Sequence, residues 1–459
     1  MKSKNHILDV ALHIATILVV VTSVVLWIFI LTSDRRFSSL TKPNTATNTH
    51  VRLTKSLKDA YVPTEVLGYK NNKLYQLYDS DKNLPLVFSR EFNSSEIQKV
   101  TPVFKNKRKY NQYMNNTRFL QLSYPDQITF GIFSNHIKKS YLNSEFNRIF
   151  VAKTKNKNRN IIYAGNDDTR QMYEIKLKKA DFSSLIKYAK AAESAIQVKL
   201  IKVKEGYAIS YSQAQKVKIF SYLITNQSDS YFVSRLLGTS GVTSKTIGDT
   251  TSYSSGLYDH LEVPKASSNN YHNYTYTNYY RNTKIPVANV RLSDSVSYVH
   301  KLGLVEQDLR FFDAFNNSVY YTNYIEGYPV FIKTHGPQIK IHYAGDNLTI
   351  KFNSTNLQIP IPFDGRTRTV PKTDDVFKVL QNKGIPRKDI EQMTVGFELV
   401  RDNDHDNLVD LEPTYYIKIY NHWMSLSEWQ NANLAKYQHN KNNATLPLKG
   451  GNEVGPSKN

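Results

Sequence analysis

The residues best suited to covalent chemistry in this sequence are Ser184 and Lys187, which are separated by two positions. A serine and a lysine in an S-x-x-K pair on a helix are the signature of penicillin-binding serine acyltransferases. Ser228-Asp229-Ser230 and Lys333-Thr334-His335-Gly336 follow in the order of the two further motifs of those enzymes. Those motifs read Ser-x-Asn and Lys-Thr-Gly, so both matches are incomplete. Acyl transfer therefore remains a less favoured alternative, and the sequence assigns no catalytic residue.

An acidic run at Asp402-Asn403-Asp404-His405-Asp406 resembles the start of a calcium-binding loop. Carboxylates occupy its first, third and fifth positions, but Asn407 stands where such a loop needs glycine and Pro413 where it needs glutamate. The flanking residues 394–400 and 414–420 have the pattern of strands, which predicts a polar hairpin loop. The sequence therefore predicts no metal site, and it contains no nucleotide-binding motif that would predict a cofactor.

A tyrosine cluster in a polar stretch could stack sugar rings. Its members are Tyr271, Tyr274, Tyr276, Tyr279 and Tyr280. Tyr274 and Tyr276 alternate, which also fits an ordinary strand with both rings on one face. Glycan binding is therefore an alternative interpretation of this cluster.

The chain is strongly basic, with 60 Lys and Arg against 39 Asp and Glu in 459 residues and a formal charge of +21. More than half of the excess lies between residues 101 and 200, where 105–109 (KNKRK) and 153–159 (KTKNKNR) are concentrated basic runs. Such an excess favours a polyanionic partner: nucleic acid, lipid headgroups or anionic wall polymers. The absence of cysteine excludes disulfides, thiolate nucleophiles and cysteine-ligated metals.

Residues 7–31 predict a single transmembrane helix after a cytoplasmic tail of residues 1–6. The almost wholly aliphatic stretch Ile14–Leu31 rises about 27 Å as a helix, close to the thickness of a bilayer core. The sequence after Leu31 is a poor signal-peptidase site, so the segment is predicted to be an uncleaved signal-anchor in the cell membrane. With the amino terminus in the cytoplasm, the bulk of the chain is extracytoplasmic and meets wall polymers and the lipid bilayer, not nucleic acid. A cysteine-free exoprotein rich in Asn, Lys and Tyr fits a Gram-positive bacterium.

One stripe of the predicted membrane helix carries polar side chains and a tryptophan. Its residues are spaced alternately by four and three positions: Asp9, His13, Thr16, Val20, Ser23 and Trp27. Polar side chains in lipid lack water partners, so the stripe favours interaction with a partner helix. Alternatively, Ser and Thr bond their own helix, Asp9 and His13 lie at the inner interface and Trp27 anchors the outer one.

The remaining chain predicts an α+β fold of antiparallel sheets with short packed helices, divided into several domains. The expected divisions are a linker at 32–50, an amino-terminal domain at 51–175, a central domain at 176–290, a carboxyl-terminal domain at 291–435 and a disordered tail at 436–459. An amphipathic helix is predicted after Asp181, followed by strands at 195–204 and 215–225. Three helices are predicted from an acidic N-cap to a glycine: Asp229–Gly238, Asp294–Gly303 and Asp374–Gly384.

Two carboxyl-terminal segments carry a family resemblance. Val319–Phe331 (VYYTNYIEGYPVF) resembles the signature of the YycH family and of the related YycI proteins, and Asn407–Ser425 resembles a second strand of that family. Thr414 and Tyr415 stand where the family usually has Ala and Trp. The matching residues read as fold residues without a catalytic role: Tyr324, Gly327, Tyr328, Pro329, Val330, Phe331, Leu411, Glu412, Pro413 and Tyr416.

The resemblance implies a function that the residue pattern alone does not. Proteins of the YycH family (WalH) are negative regulators of the WalK (YycG) sensor histidine kinase, which controls cell-wall metabolism. The resemblance also implies three extracytoplasmic domains, the last two alike and YycI-like, association with a YycI-like membrane protein, and control through contacts of the transmembrane helix with the kinase. A non-enzymatic regulator of a two-component system is therefore the favoured prediction, and a wall-polymer binding module using the 101–200 region and the tyrosines is the main alternative.

Overall fold

The computed structural model describes residues 56–437 with short gaps, at 80–81, 154–159, 193, 269–271, 281–283, 305–307, 333–335, 363–364, 403–404 and 406. The predicted cytoplasmic tail, membrane helix with its polar stripe, linker and nearly all of the carboxyl-terminal tail lie outside the described residues. Within the described part, no helix is long and apolar enough to cross a membrane.

The first half of the described chain builds one antiparallel sheet of nine strands. The strands are β1 (Glu65–Lys70), β2 (Lys73–Tyr78), β3 (Glu96–Lys105), β4 (Phe119–Thr129), β5 (Glu145–Ala152), β6 (Ile161–Gly165), β7 (Gln171–Lys178), β8 (Ser194–Lys202) and β9 (Tyr207–Tyr211). Their spatial order is β3-β7-β6-β5-β4-β1-β2-β8-β9. Three helices accompany this sheet: α1 (Leu84–Ser94), α2 (Lys107–Met114) and α3 (Ser183–Ala191).

Helices α1 and α3 pack together through aromatic rings. The ring of Phe88 stacks on Phe92 and on Phe182, with centroids 5.4 and 5.6 Å apart. The predicted amphipathic helix is confirmed as α3, because Leu185 and Ala189 are buried at the spacing of one helical face. The carboxylate of Asp181 accepts a hydrogen bond from the backbone N–H of Ser183 (3.1 Å) and so satisfies a free donor at the start of the helix.

The second half of the described chain builds a larger sheet of fourteen strands and a two-stranded ribbon. The ribbon pairs β10 (Gln215–Lys218) with β22 (Thr367–Val370). The other strands are β11 (Phe220–Asn226), β12 (Val242–Ile247), β13 (Thr250–Ser255), β14 (Asp259–Pro264), β15 (Asn273–Tyr279), β16 (Leu309–Phe315), β17 (Ser318–Ile325), β18 (Tyr328–Ile332), β19 (Ile339–Tyr343), β20 (Asn347–Asn353), β21 (Thr355–Pro360), β23 (Ile390–Arg401), β24 (Leu408–Ile419) and β25 (His422–Ser425). The helices are α4 (Asp229–Leu237), α5 (Ala288–Leu302), α6 (Thr373–Asn382) and α7 (Leu426–Asn431).

This sheet runs β12-β13-β14-β15-β20-β19-β17-β18-β23-β24-β11-β21, with β16 added to β17 and β25 added to β24. Every described pair is antiparallel except β18 with β23, where Val330 lies opposite Phe397. The predicted α+β class of antiparallel sheets with short helices is confirmed for the described residues.

The structure corrects three predicted helix starts. The N-cap of α4 is Ser228, whose hydroxyl accepts from the N–H of Tyr231, and Asp229 is the first helical residue. Helix α5 begins six residues before Asp294, because Leu292 already belongs to its buried face. Helix α6 begins at Thr373, so Asp374 lies inside its first turn. Acidic side chains stabilise a helix both at the N-cap and in the first turn. The sequence pattern therefore does not distinguish these two positions.

The predicted strand at 215–225 is also corrected. It is divided at Ile219 into β10 and β11, which pair in different sheets. The alternation of side chains continues across Ile219, so the sequence alone does not show that β10 and β11 pair with strands of different sheets.

A shared core joins the two halves of the described chain. Helix α5 contacts both β4 of the nine-stranded sheet and β17 and β19 of the larger sheet. The hydroxyl of Tyr61 donates to the carbonyl of Leu292 (2.6 Å) and lies 3.0 Å from the hydroxyl of Tyr321, which in turn lies 2.7 Å from that of Ser295. These buried polar groups are thus satisfied across the junction, which fixes the packing of α5 between the sheets.

Candidate functional site: an inter-sheet cleft

The first family segment forms a tight hairpin at the junction of the two sheets. Strand β17 turns into β18 through Glu326 and Gly327, whose φ angles are +51° and +84°. Positive φ at both central residues is the signature of a type I′ turn, which matches the twist of a two-residue hairpin. Pro329 lies opposite Tyr324 at the start of β18, before the pairing with β23 begins at Val330. The hairpin therefore presents Tyr324, Gly327 and Tyr328 toward the nine-stranded sheet, where they line a cleft.

The second family segment lies in β24 and contacts the first. The ring of Phe331 in β18 stacks on Tyr416 with centroids 3.6 Å apart. Phe312 and Trp423 complete this aromatic cluster, with Phe312 lying 5.1 Å from Phe331 and 4.8 Å from Trp423. Gly396 of β23 permits the approach, because a Cβ there would lie 2.7 Å from the Phe331 ring and 2.8 Å from the carbonyl oxygen of Pro329.

The other residues of the second family segment have structural contacts. Leu411 is fully buried. Glu412 forms an ion pair with Arg368 of β22, and Pro413 lies opposite Phe397 in the ladder. These contacts attach the β10–β22 ribbon and β23 to β24.

A cleft of about 120 Å³ lies between the two sheets. One wall comes from β1, β2, β4, β5 and β9, and the other from β16, the β17–β18 hairpin, β23 and β25. Polar and aromatic side chains are interspersed along it, among them Glu65, Gln76, Tyr207, Tyr211, Tyr328 and Gln392. A cavity lined in this way has the chemistry of a ligand-binding site.

The carboxyl group of Glu65 lines the cleft, and its pKa is raised to about 7. Burial is the main cause, opposed by the positive charge of Arg148 and by a hydrogen bond with Ser123. Arg148 donates to Ser123 through Nη1 (2.7 Å), and its Nε and Nη2 donate to the carboxylate of Asp167 (Nη2 to Oδ2, 2.7 Å). Tyr110 donates to the same carboxylate. The side-chain nitrogens of Arg148 are thus bound to Asp167 and Ser123. The carboxylate of Glu65 is half-buried and borders the cavity.

Tyrosines from both sheets surround Glu65. Burial raises the pKa of Tyr211, Tyr324 and Tyr328, and the negative charge of Glu65 adds to each shift, so their hydroxyls lie within electrostatic range of Glu65. Tyr211 donates to the side-chain carbonyl of Gln76 (2.8 Å). Since Tyr211 belongs to the nine-stranded sheet and Tyr324 and Tyr328 to the larger one, the cleft exists only in the folded chain.

A buried charge network, comprising Asp126, Glu205, Asp313 and Lys418, fastens the sheets beside the cleft. Lys418 is 2% exposed and forms ion pairs with Asp313 (3.0 Å) and Glu205 (3.2 Å). Trp423 Nε1 donates to Asp313 (2.9 Å), and Asp126 of β4 accepts from the backbone N–H of Ala314 (2.9 Å). Burial and the neighbouring Asp313 raise the pKa of Asp126. Burial alone would lower the pKa of Lys418, but the surrounding carboxylates together outweigh it and raise that pKa. The raised pKa of Asp126 favours its protonated form beside the Asp313–Lys418 ion pair.

The serine and lysine of the S-x-x-K pair lie on α3 and do not line the cleft. Ser184 is half-buried in the first turn of the helix and Lys187 is exposed. Lys333, Thr334 and His335 of the third acyltransferase motif lie outside the described residues. The structure therefore gives the acyltransferase alternative no assembled site among the residues that it describes.

The acidic run joins β23 to β24 as a hairpin loop, as predicted. Asp402 accepts a hydrogen bond from the backbone N–H of His405 (3.0 Å), while Asn403, Asp404 and Asp406 lie outside the described residues. Across the part of the chain that the structure describes, no three His, Cys, Asp or Glu side chains are grouped to hold a metal ion.

The interpretation of the tyrosine cluster as a sugar-stacking surface is corrected for Tyr274 and Tyr276. Tyr274 and Tyr276 are 2% and 1% exposed on the inner face of β15, so their rings are not available to stack a sugar. Their hydroxyls donate to Asp229 (2.6 Å) and Asp259 (2.5 Å). Tyr279 is 46% exposed, and Tyr271 lies outside the described residues.

Sequence reasoning singled out Tyr324, Gly327, Tyr328 and Pro329 only as fold residues, and it missed the charged residues of the cleft and of the charge network. A usable signal was present, because Arg148 and Lys418 are single charges within otherwise largely apolar stretches (RIFVA and YYIKI), and Asp313 lies in the largely apolar stretch LRFFDAF. A charge in such a strand needs a buried partner, although the sequence does not say which one. Glu65 carries no comparable signal.

Comparison with known proteins identifies the family. Residues 12–194 match the model of the YycH protein, N-terminal domain, and residues 207–432 match that of the YycH protein, C-terminal domain. A search of curated proteins finds no match. Among solved structures, the crystal structure of YycH from Bacillus subtilis is similar with a TM-score of 0.66 and 14% identity, over 81% of this chain and 97% of that chain. At this identity, the structural likeness shows the fold alone.

The matched domains define a regulatory protein of a two-component signalling system. The chain belongs to the YycH family. Membership supports a role in the regulation of the WalK (YycG) sensor histidine kinase.

Proposed function

We propose that this protein is a membrane-anchored, extracytoplasmic regulator of a WalK-type sensor histidine kinase that controls cell-wall metabolism. The match of both YycH domains along residues 12–194 and 207–432 is the observation that carries the proposal. The amino-terminal match begins inside the predicted membrane segment 7–31, which supports treating that segment as part of the family unit.

The anchor supplies the route to the kinase in this proposal. A kinase that exchanges between two transmembrane arrangements is shifted by any helix that binds one arrangement better. The stripe of Asp9, His13, Thr16, Val20, Ser23 and Trp27 is the proposed contact surface. The extracytoplasmic body associates with a YycI-like membrane protein and sets the position of the helix.

The anchor mechanism is tested by expressing residues 1–36 alone with the kinase. We expect this fragment to lower kinase output in a reporter assay, because it contains the whole predicted contact surface. Kinase output that does not change while the fragment is present in the membrane would contradict control through the helix.

The stripe is tested in the full chain by replacing Asp9, His13, Thr16 and Ser23 with Leu. We expect weaker regulation at equal membrane abundance, since the polar contacts with the partner helix are lost. The matched control is Thr22→Leu, which makes a similar polar-to-apolar change outside the stripe. Equal effects of the stripe variant and of the control would refute a stripe-specific contact.

Partner identity is tested by purifying the full chain from detergent-solubilised membranes. A sensor histidine kinase and a YycI-like protein are expected in the purified complex. Recovery of neither partner under conditions that retain other membrane complexes would count against direct association.

A wall-polymer contact is a second candidate, favoured by one specific observation. Lys105, Lys107, Arg108 and Lys109 are all exposed at the end of β3 and the start of α2. Binding of the protein to teichoic acid that weakens steeply with salt, and that is reduced by neutralising these four residues, is the expected result. Binding that is unaffected by salt would exclude this electrostatic contact.

A further inference from the structure

The inter-sheet cleft has a charge opposite to that of the chain as a whole. Five carboxylates line it, those of Glu65, Asp79, Asp167, Glu205 and Glu326, whereas Arg148 is the one basic residue among the described residues of its lining. Over the complete sequence, basic residues outnumber acidic ones by 60 to 39. Asp167 pairs with Arg148 and Glu205 with Lys418, and the further carboxylates of Glu65, Asp79 and Glu326 make the lining acidic in a basic protein.

Arg148 is not available to a ligand. Its side chain is 2% exposed, and its nitrogens donate to Asp167 and Ser123. An anionic ligand in the cleft would thus meet carboxylates without an accessible cation, which disfavours phosphate or carboxylate ligands. A cationic ligand would meet Glu65 beside open space.

The aromatic side chains of the cleft suit a cation as well. Tyr328 is half-buried and Tyr211 is 6% exposed, and both line the cavity, whereas the ring of Tyr207 already carries the guanidinium of Arg170 at 4.7 Å. Aromatic faces attract ammonium and guanidinium groups, most strongly where water is partly excluded. Tyr124 also lines the cleft, and its buried hydroxyl has no hydrogen-bond partner among the described residues, which indicates a polar group still to be satisfied there.

The size of the cleft restricts the ligand. A volume of about 120 Å³ is close to that of engineered protein cavities of about 150 Å³ that admit a benzene-sized molecule. It therefore accommodates a group of the size of one side chain.

We propose that the inter-sheet cleft binds an alkylammonium group of lysine-side-chain size, with Glu65 as the counter-ion and Tyr211 and Tyr328 as the aromatic walls. Ser123 holds the Glu65 carboxylate in place through a hydrogen bond, and Arg148 in turn fixes Ser123. This inference goes beyond the regulatory function, because binding is a property of this chain alone and is measured without the kinase.

The experiment uses the purified full chain in detergent micelles and two probes, N-acetyl-lysine amide and N-acetyl-norleucine amide. The probes share the linear side chain and differ in the ammonium group. By titration calorimetry at pH 8 and low salt, we expect the lysine probe to bind at least about tenfold more tightly. Equal affinity of the two probes, or no binding of either, would overturn the proposal without requiring any variant.

The variant Glu65→Gln tests whether Glu65 belongs to the binding site of the lysine probe. This variant keeps a hydrogen-bonding side chain but removes the charge, so the lysine probe is expected to lose about tenfold in affinity. The control is Glu96→Gln, which removes an exposed carboxylate on β3 that does not line the cleft and should leave affinity unchanged. Unchanged affinity in Glu65→Gln, or equal losses in both variants, would remove Glu65 from the site.

Discussion

The ring of Phe331 lies face to face with the ring of Tyr416, with centroids 3.6 Å apart and planes inclined by 15°. Each residue belongs to one of the two sequence segments that carry the family resemblance. Their contact joins the β17–β18 hairpin, which lines the cleft, to β24, which carries Lys418 of the charge network. The two family segments are therefore parts of one structural unit at the junction of the sheets.

Truncation of this stack should be costly. Phe331→Ala should lower the free energy of unfolding by about 3–5 kcal/mol, because Phe331 is fully buried and the vacated space is enclosed by Phe312, Tyr416 and Trp423. Urea unfolding of the full chain in detergent, followed by tryptophan fluorescence, measures the change. Tyr416→Phe is the matched control and should cost nothing or stabilise by about 1 kcal/mol, because the buried Tyr416 hydroxyl has no partner among the described residues.

The charge network should respond unequally to removal of its members. Lys418→Met should destabilise the protein by about 3–5 kcal/mol at pH 7, since it leaves Asp313 and Glu205 near one another without their cation. Asp126→Asn should cost less than about 1 kcal/mol, because asparagine resembles the protonated acid that the raised pKa favours. Equal losses in the two variants, measured by urea unfolding, would show that Asp126 is ionised in the folded protein.

Stability should fall with rising pH through Glu65. Its pKa in the folded protein is about 7, above the ordinary 4.5, so folding favours the protonated acid. This contribution is fully present below about pH 4.5 and is lost as the pH rises through about 7. Compared with Glu65→Gln, the wild-type protein should lose on the order of 2 kcal/mol of unfolding free energy between pH 5 and pH 8. A constant difference between the two proteins over this range would show that the Glu65 pKa is not raised.

The hairpin turn should tolerate only glycine at position 327. Gly327→Ala should destabilise the protein by about 1 kcal/mol or more, because a φ of +84° is strained for alanine. Steric crowding is not the cause, since the nearest atom to the added Cβ is a carbonyl oxygen at 3.8 Å. Gly248→Ala is the control: its φ is also positive, at +57°, but its turn lies far along the sheet order, between β12 and β13. Both variants should lose similar stability in urea unfolding, but only Gly327→Ala should weaken binding of the lysine probe.

The sequence predicted local features where a short-range pattern has one physical meaning. Leu185 and Ala189 lie on one helical face after Asp181, and that spacing specifies α3. Glycines at 238 and 303 end their helices because both positions need positive φ. The helix starts were less accurate, since Asp229, Asp294 and Asp374 fit either a cap or an early turn.

The sequence by itself determined the α+β class, the strands of the two family segments and the glycine-dependent turn at Gly327, because these follow from residue spacing and backbone sterics. Only the tertiary structure decided that Glu65 lies beside Ser123 and the tyrosines of another sheet, and that Lys418 pairs with Asp313 and Glu205. Such contacts join residues far apart in the chain, and their strength depends on burial and on the identity of each neighbour. Local periodicity encodes neither the burial of a side chain nor its distant neighbours, so the cleft can be recognised only in the assembled pair of sheets.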